Sequence, residues 1–247
     1  LTFMVIIPSL MTAFSMFAVF ETYGRNKGAT GLLDWFKKLP WSDARFVLVF
    51  IGMLFFVPGG LGGIINASGQ MNQLVHNTIW IVGHFHITVG APVVLTYFAA
   101  MLFLLPHITG HKIDRIANRL GLMLAYTWAL GMGIMSAAMH FAGLRGAPRR
   151  STFSEYGGAP VAEEWITYQV MQAVGGSFLF IAIIIAILMF LKLITGPKTD
   201  EIEEFPVAEF LDQNDSPVRW VDNWRLLFII TAFLVLIAYT VPITQMF

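Results

Sequence analysis

No cysteine occurs among the 247 residues, and that absence removes several chemistries. Disulfides, iron–sulfur clusters, c-type haem attachment and thiolate-bound copper cannot be built from this chain. Any such centre belongs to a partner. Charge is also scarce, at 12% Asp, Glu, Lys and Arg, and it sums to a formal net charge of zero. That balance gives no basis for nucleic-acid binding. A chain so poor in charge cannot cover the surface of an ordinary soluble domain with polar groups.

What is present is apolar: 57% hydrophobic residues and a mean hydropathy of +0.70 mark a membrane protein. Leu1 already lies inside an apolar run and no signal peptide is visible, so the chain reads as the later part of a longer polypeptide, with ligands expected upstream. Apolar windows near the required length of about 20 residues fall at roughly 1–20, 46–66, 78–106, 120–143, 166–194 and 225–247. Each span must satisfy its own backbone, so the fold class is all-α: a polytopic transmembrane helical bundle of about six spans. Residues 1–247 read as a single membrane domain without internal repeats.

Lys and Arg are unevenly shared between the two sides. Loops 21–45, 107–119 and 195–224, with Lys192 and Arg225 at their edges, hold 12 of the 15; the opposite loops hold only Arg145, Arg149 and Arg150. The first set therefore faces the cytoplasm and the C-terminus lies outside. Trp35, Trp41, Trp165, Trp220 and Trp224 fall near span ends, as interfacial anchors do. The acidic run 200–215 reads as a solvated connector without chemistry.

The segment Val82-Gly83-His84-Phe85-His86-Ile87-Thr88 places two imidazoles inside the third span, about 9–14 Å below its outer end at 1.5 Å per residue. Ionisable side chains at such depth are functional candidates by default. Successive helical residues turn by about 100°, so these two rings point to nearly opposite faces and cannot share one metal. Neutral imidazole is a haem-iron ligand. A helix with rings on opposed faces is suited to stand between two haems, with Phe85 between them.

Haem propionates need cationic donors, and Arg149-Arg150 lie on the charge-poor outer side towards which the histidines are offset. His76-Asn77 sits at the outer entrance of the same helix, placed either to bond a propionate or relay protons, or, through Asn77, to cap the helix. Pro58-Gly59-Gly60 with Gly62-Gly63 removes side chains from the second span; this permits close approach of a helix or a flat macrocycle, or a plain kink. Ser9 and Thr12 share one face of the first span midway through the membrane. Their hydroxyls either carry protons by way of water or are satisfied by i−4 carbonyls.

These residues together resemble the C-terminal half of the catalytic subunit of haem-copper oxygen reductases, most similar to the B-type cytochrome c oxidases. The resemblance runs through "PSLMTAF" at 8–14, "PGGLGGIINAS" at 58–68, "HNTIWIVGHFH" at 76–86 and "APRRS" at 147–151. It implies that this bundle is part of a subunit with about twice as many helices. His84 would then ligate a high-spin haem where oxygen is reduced, and His86 would be one of two axial ligands of a low-spin haem. Arg149 and Arg150 would bind propionates, His76 would belong to the propionate-side proton region, and Ser9 and Thr12 would match a hydroxyl pair of the proton-uptake pathway.

Two departures stand out: Asn77 replaces an Asp that helps bind magnesium in A-type relatives, so no such site is expected, and Asn72 stands where a B-type relative has Asp. The copper-ligating histidines, a cross-linked Tyr and the other low-spin ligand would lie upstream of Leu1. The resemblance further implies a copper-containing subunit II as electron-entry partner, cytochrome c or a similar donor, O2 as substrate, and a prokaryotic cell membrane as location.

Three rival readings differ in their residues. A di-haem quinol cytochrome b places ligands about 13–14 residues apart, and no second His falls at that spacing from His76, His84 or His86. A nitric oxide reductase is a nearer relative, told apart by metal ligands expected upstream. A cofactor-free proton transporter would use His84 and His86 as a relay.

Overall fold

The computed structural model describes residues 2–153, 155–199 and 223–245; the connector 200–215 and Trp220 lie outside them. The chain divides into two compact units, 1–203 and 204–247. Among the described residues the first carries eight α-helices: α1 (Ile6–Asn26), α2 (Asp34–Lys37), α3 (Ala44–Ala67), α4 (Gly69–Val75), α5 (Ile79–Phe85), α6 (Pro92–Thr109), α7 (Arg115–Leu144) and α8 (Ile166–Ile194). The second carries α9 (Trp224–Thr244).

Among the described residues five helical segments are long and apolar enough to cross a membrane: Phe3–Asn26, Ala44–Ala67, Ile79–Thr109, Arg115–Leu144 and Pro160–Ile194. They overlap the first five predicted spans. The sixth falls on α9, whose continuous apolar stretch Arg225–Ala238 is shorter.

The third span is not one rod. Between α5 and α6 the backbone widens into a π-turn, His86–Gly90, in which the Ala91 amide reaches the His86 carbonyl at 3.0 Å. Pro92 explains the position. It has no N–H to continue the ladder, and its ring would clash with the carbonyl four residues back, that of Thr88. One wider turn relieves that clash. Trp128 on α7 then donates its indole N–H to the Gly90 carbonyl at 2.8 Å.

Polar ties fix the ends on the predicted cytoplasmic side. The Asn118 side-chain oxygen accepts the Ala44 amide at 2.9 Å and its nitrogen donates to the Ser42 carbonyl at 2.7 Å. Asp114 caps α7 by accepting the Ile116 and Ala117 amides, and its other oxygen meets Lys192 of α8 at 2.9 Å. Aromatic rings join α1, α2 and α3, with Phe20, Phe36, Phe46 and Trp41 all packed on Phe50.

The apolar core lies between α3, α6, α7 and α8, around Leu48, Leu95, Leu102, Leu124, Met189 and Leu193. Close approach comes from small residues. A Cβ added to Gly131 of α7 would lie 2.8 Å from the Gly175 carbonyl, and one on Gly175 of α8 would lie 2.7 Å from the Gly131 carbonyl. Trp165, expected as an interfacial anchor, is instead buried at 4% exposure and donates to the Arg145 carbonyl at 3.0 Å.

Candidate functional site: the imidazole helix

α5 begins at Thr78, whose hydroxyl oxygen accepts the Trp80 amide at 3.3 Å. Thr78 is therefore the cap, correcting the capping alternative for Asn77. Asn77 adopts a left-handed backbone at φ 62°, which Asn tolerates better than most residues.

His84 ends up buried, against α3. A Cβ on Gly62 would stand 2.5 Å from its Nδ1, so only glycine lets the ring come this close to that helix. The Trp80 ring, one turn earlier, stacks at 5.9 Å and 14°. The Thr88 hydroxyl sits 3.1 Å from His84 Nδ1. Gly63 lies along the ring's edge without crowding it: a Cβ there would stand 3.9 Å from Cε1.

His86 is only half-buried, and its Nδ1 lies 2.7 Å from the Val82 carbonyl. A carbonyl oxygen can only accept, so Nδ1 carries the hydrogen and Nε2 is left bare. That is the tautomer a metal-ligating histidine needs. Phe85, between the two rings in sequence, is 57% exposed.

A third in-span histidine, His140 of α7, joins the cluster, and the sequence reading did not single it out. Its Nδ1 donates to the Ser136 carbonyl at 2.7 Å, while the Ser136 hydroxyl donates to the Gly83 carbonyl at 2.8 Å. Ser136 is fully buried. A Cβ on Gly83 would stand 2.9 Å from His140 Nδ1. The same depth rule that singled out His84 applies to His140; Ser136 lies one turn before it on α7, and only the Gly83 carbonyl that Ser136 bonds needs α5 and α7 packed together.

At the N-terminal end of α5 the structure joins the segments holding His76, Arg149 and Arg150. The Ile79 amide donates to the Ala147 carbonyl at 2.8 Å and the Arg149 amide to the Asn77 carbonyl at 3.0 Å. The Arg149 guanidinium also donates to the Asn77 side-chain oxygen at 3.0 Å. His76 is exposed at the end of α4. Arg150 is exposed and holds φ 61°, a conformation costing a non-glycine residue about 1–3 kcal/mol. Ser9 and Thr12 lie apart from this cluster on α1, whose neighbours include α2 and α3. Thr12 donates its proton to the Pro8 carbonyl at 2.9 Å.

Fold and site define a polytopic helical membrane protein with two imidazoles set back to back in one span. Comparison with known proteins gives the family. Residues 1–178 match the profile described as "Cytochrome C and Quinol oxidase polypeptide I". The whole chain is similar to cytochrome c oxidase subunit 1 of Thermus thermophilus, with 38% identity over 100% of this chain and 44% of that one. A shorter Thermus thermophilus sequence of the same name is 46% identical over 43% of this chain and 99% of its own length. A cryo-EM structure of a heme-copper terminal oxidase dimer superposes with a TM-score of 0.73 at 30% identity, covering 97% of this chain and 43% of that one. The chain belongs to the haem-copper oxidase subunit I family, and it spans less than half the length of the longer Thermus relative.

The residues fit the haems this family implies. The His84 ring is held at Nδ1 by Thr88 and lies against Gly62 and Gly63 of α3, where no side chain stands in its way. His86 offers a bare Nε2 on the other side, and a guanidinium pair lies at the end of the same helix.

Proposed function

We propose that this chain is the haem-ligating C-terminal part of the catalytic subunit of a proton-translocating terminal oxidase. The observation that carries the reading is the pair of in-span imidazoles on divergent faces, with the Nδ1 of each hydrogen-bonded inside the helix. His84 would hold the high-spin haem iron and is the catalytic ligand; His86 would hold the low-spin haem iron. Arg149 and Arg150 would take the propionates, with Asn77 orienting the Arg149 guanidinium and His76 exposed beside them. The left-handed Arg150 backbone supports an anion-binding role, since such conformations concentrate at functional sites.

The haems and the copper of the complete subunit, when bound, supply the redox chemistry that reduces O2 to water. The protein's part is to orient. Trp80, Gly62 and Thr88 fix one ring, and Val82 fixes the other. Ser9 and Thr12 would serve proton uptake; with the Thr12 proton held by the Pro8 carbonyl, its oxygen remains as a water acceptor. The copper ligands, the remaining low-spin ligand, a copper-containing subunit II, and cytochrome c or a similar donor lie outside this chain. The location is a prokaryotic cell membrane, with the C-terminus outside.

Optical and magnetic spectra of the assembled complex test this. His84→Ala is expected to abolish the high-spin haem signal and His86→Ala the low-spin one. Loss of the same signal in both variants would overturn the assignment. Absence of any Soret band in the parent complex would favour the proton relay instead.

A further inference from the structure

We propose that Thr88 is a positioning residue for the His84 ligand: its hydroxyl accepts the His84 Nδ1–H and thereby sets the electron-donating strength of Nε2. The inference rests on the reading of His84 as an iron ligand and deepens it.

Thr88 has one hydroxyl proton and two neighbours within reach. Its oxygen donates to the His84 carbonyl, four residues back, and lies 3.1 Å from His84 Nδ1. The carbonyl can only accept, so the proton belongs to that contact. The oxygen's lone pairs then face Nδ1, and the favourable pairing is Nδ1–H donating to Thr88. A small loop closes: ring N–H to hydroxyl, hydroxyl to the carbonyl of the same histidine. Each bond polarises the next, so a hydroxyl already donating is a stronger acceptor than a free one.

The surroundings hold this loop in place. Gly59 of α3 faces Thr88 so closely that a Cβ there would stand 3.1 Å from the hydroxyl oxygen and 3.1 Å from the Thr88 Cα. Gly62, one turn along α3, does the same for the ring. α3 therefore lies close against both the histidine and its acceptor, with Trp80 stacked one helical turn before His84. The π-turn carries Thr88 at its centre, so the acceptor belongs to a backbone segment held separately by Trp128.

A hydrogen bond at Nδ1 raises the basicity of the coordinating nitrogen, and removing such outer partners typically changes metal affinity or activity about 10–100-fold. Taken at the lower limit as differential stabilisation of ferric over ferrous iron, that tenfold change corresponds to about 59 mV for one electron.

The test uses the complete assembled oxidase with Thr88→Val, which keeps the shape and removes the hydroxyl, Thr88→Ala as a second deletion, and Thr88→Ser as a conservative rescue. Haem content is measured alongside the resonance Raman iron–histidine stretch and the two haem potentials. The expected result is a lower stretching frequency and a high-spin potential raised by about 59 mV in Val and Ala variants that retain haem, with the low-spin potential unmoved and Ser restoring both values. Retained haem with an unmoved band and potential in Val and Ala overturns the Thr88 role while leaving the ligand reading intact. Loss of haem from Val and Ala with no recovery in Ser also overturns it, because the hydroxyl would then not be the operative group. If the band itself survives His84→Ala, the ligand reading fails instead.

Discussion

Two glycine-lined contacts in this bundle look alike in sequence and differ in what they enclose. Between α7 and α8, Gly131 and Gly175 bring backbone onto backbone, and apolar groups such as Met135 and Phe178 fill the remainder. Around α5, the atoms that a Cβ on Gly62 or Gly83 would strike include an imidazole nitrogen, of His84 or His140. The first contact is governed by packing alone. The second also fixes where protons sit, because every ring nitrogen pressed against a neighbour must find a matching donor or acceptor. Small residues in a membrane helix thus announce proximity, and the partner's chemistry decides whether that proximity does more than hold helices together.

Substitutions at the two contacts should separate these roles. The largest effect is expected for Gly62→Ala, whose methyl would stand 2.5 Å from His84 Nδ1. Overpacking of this kind costs about 1–3 kcal/mol, and the added loss of ring placement should deplete the high-spin haem, read by haem content and spectrum. Gly175→Ala carries a similar steric cost of about 1–3 kcal/mol, since its Cβ would meet the Gly131 carbonyl and Met135 at 2.7 Å. It should lower the thermal midpoint in detergent while leaving the spectrum of the surviving complex unchanged. A changed spectrum there would erase the distinction.

A smaller effect is expected for Trp128→Phe, which keeps an aromatic ring and withdraws the donor to the Gly90 carbonyl. Leaving that acceptor unpaired costs about 1–3 kcal/mol, and faster amide exchange confined to the π-turn would locate the loss. Smaller again is Asn77→Ala, which frees a part-exposed guanidinium; about 0.5–1.5 kcal/mol is expected, read as reduced thermal stability.

The mildest prediction concerns pH. Asp114 accepts the Ala117 amide and pairs with Lys192, and these hold its carboxyl below the usual value of 3.8. A depressed carboxylate stabilises the fold fully above that usual value, and the contribution fades as pH falls through the lowered one. Asp114→Asn should therefore narrow the stability difference between neutral and strongly acidic solution, measured by thermal midpoints across pH.

Much of this is legible in the residues alone. The apolar windows located five crossing helices because length and hydropathy are set by the bilayer itself. The divergence of His84 and His86 followed from helical phase, and the backbone stays helical through Phe85 and His86. What escaped was of another kind. His140 and Ser136, four residues apart on α7, stood in plain view, yet the Gly83 carbonyl that Ser136 bonds lies on another helix, beyond any periodicity argument. The π-turn had a sequence cue in Pro92, six residues after His86, but a proline alone does not say whether a helix kinks, breaks or widens. Thr88 has no role in the sequence reading, although it follows His84 by four residues and its hydroxyl meets that ring within the same segment.

The widened turn has a mechanical corollary. Ile79–Thr109 is built as two short beams, α5 and α6, with the wider turn between them beginning at the second imidazole itself. A ligand gripping both rings therefore loads the end of α5 and the start of the turn together, while Gly59 against Thr88 and Trp128 on Gly90 brace the remainder of the turn.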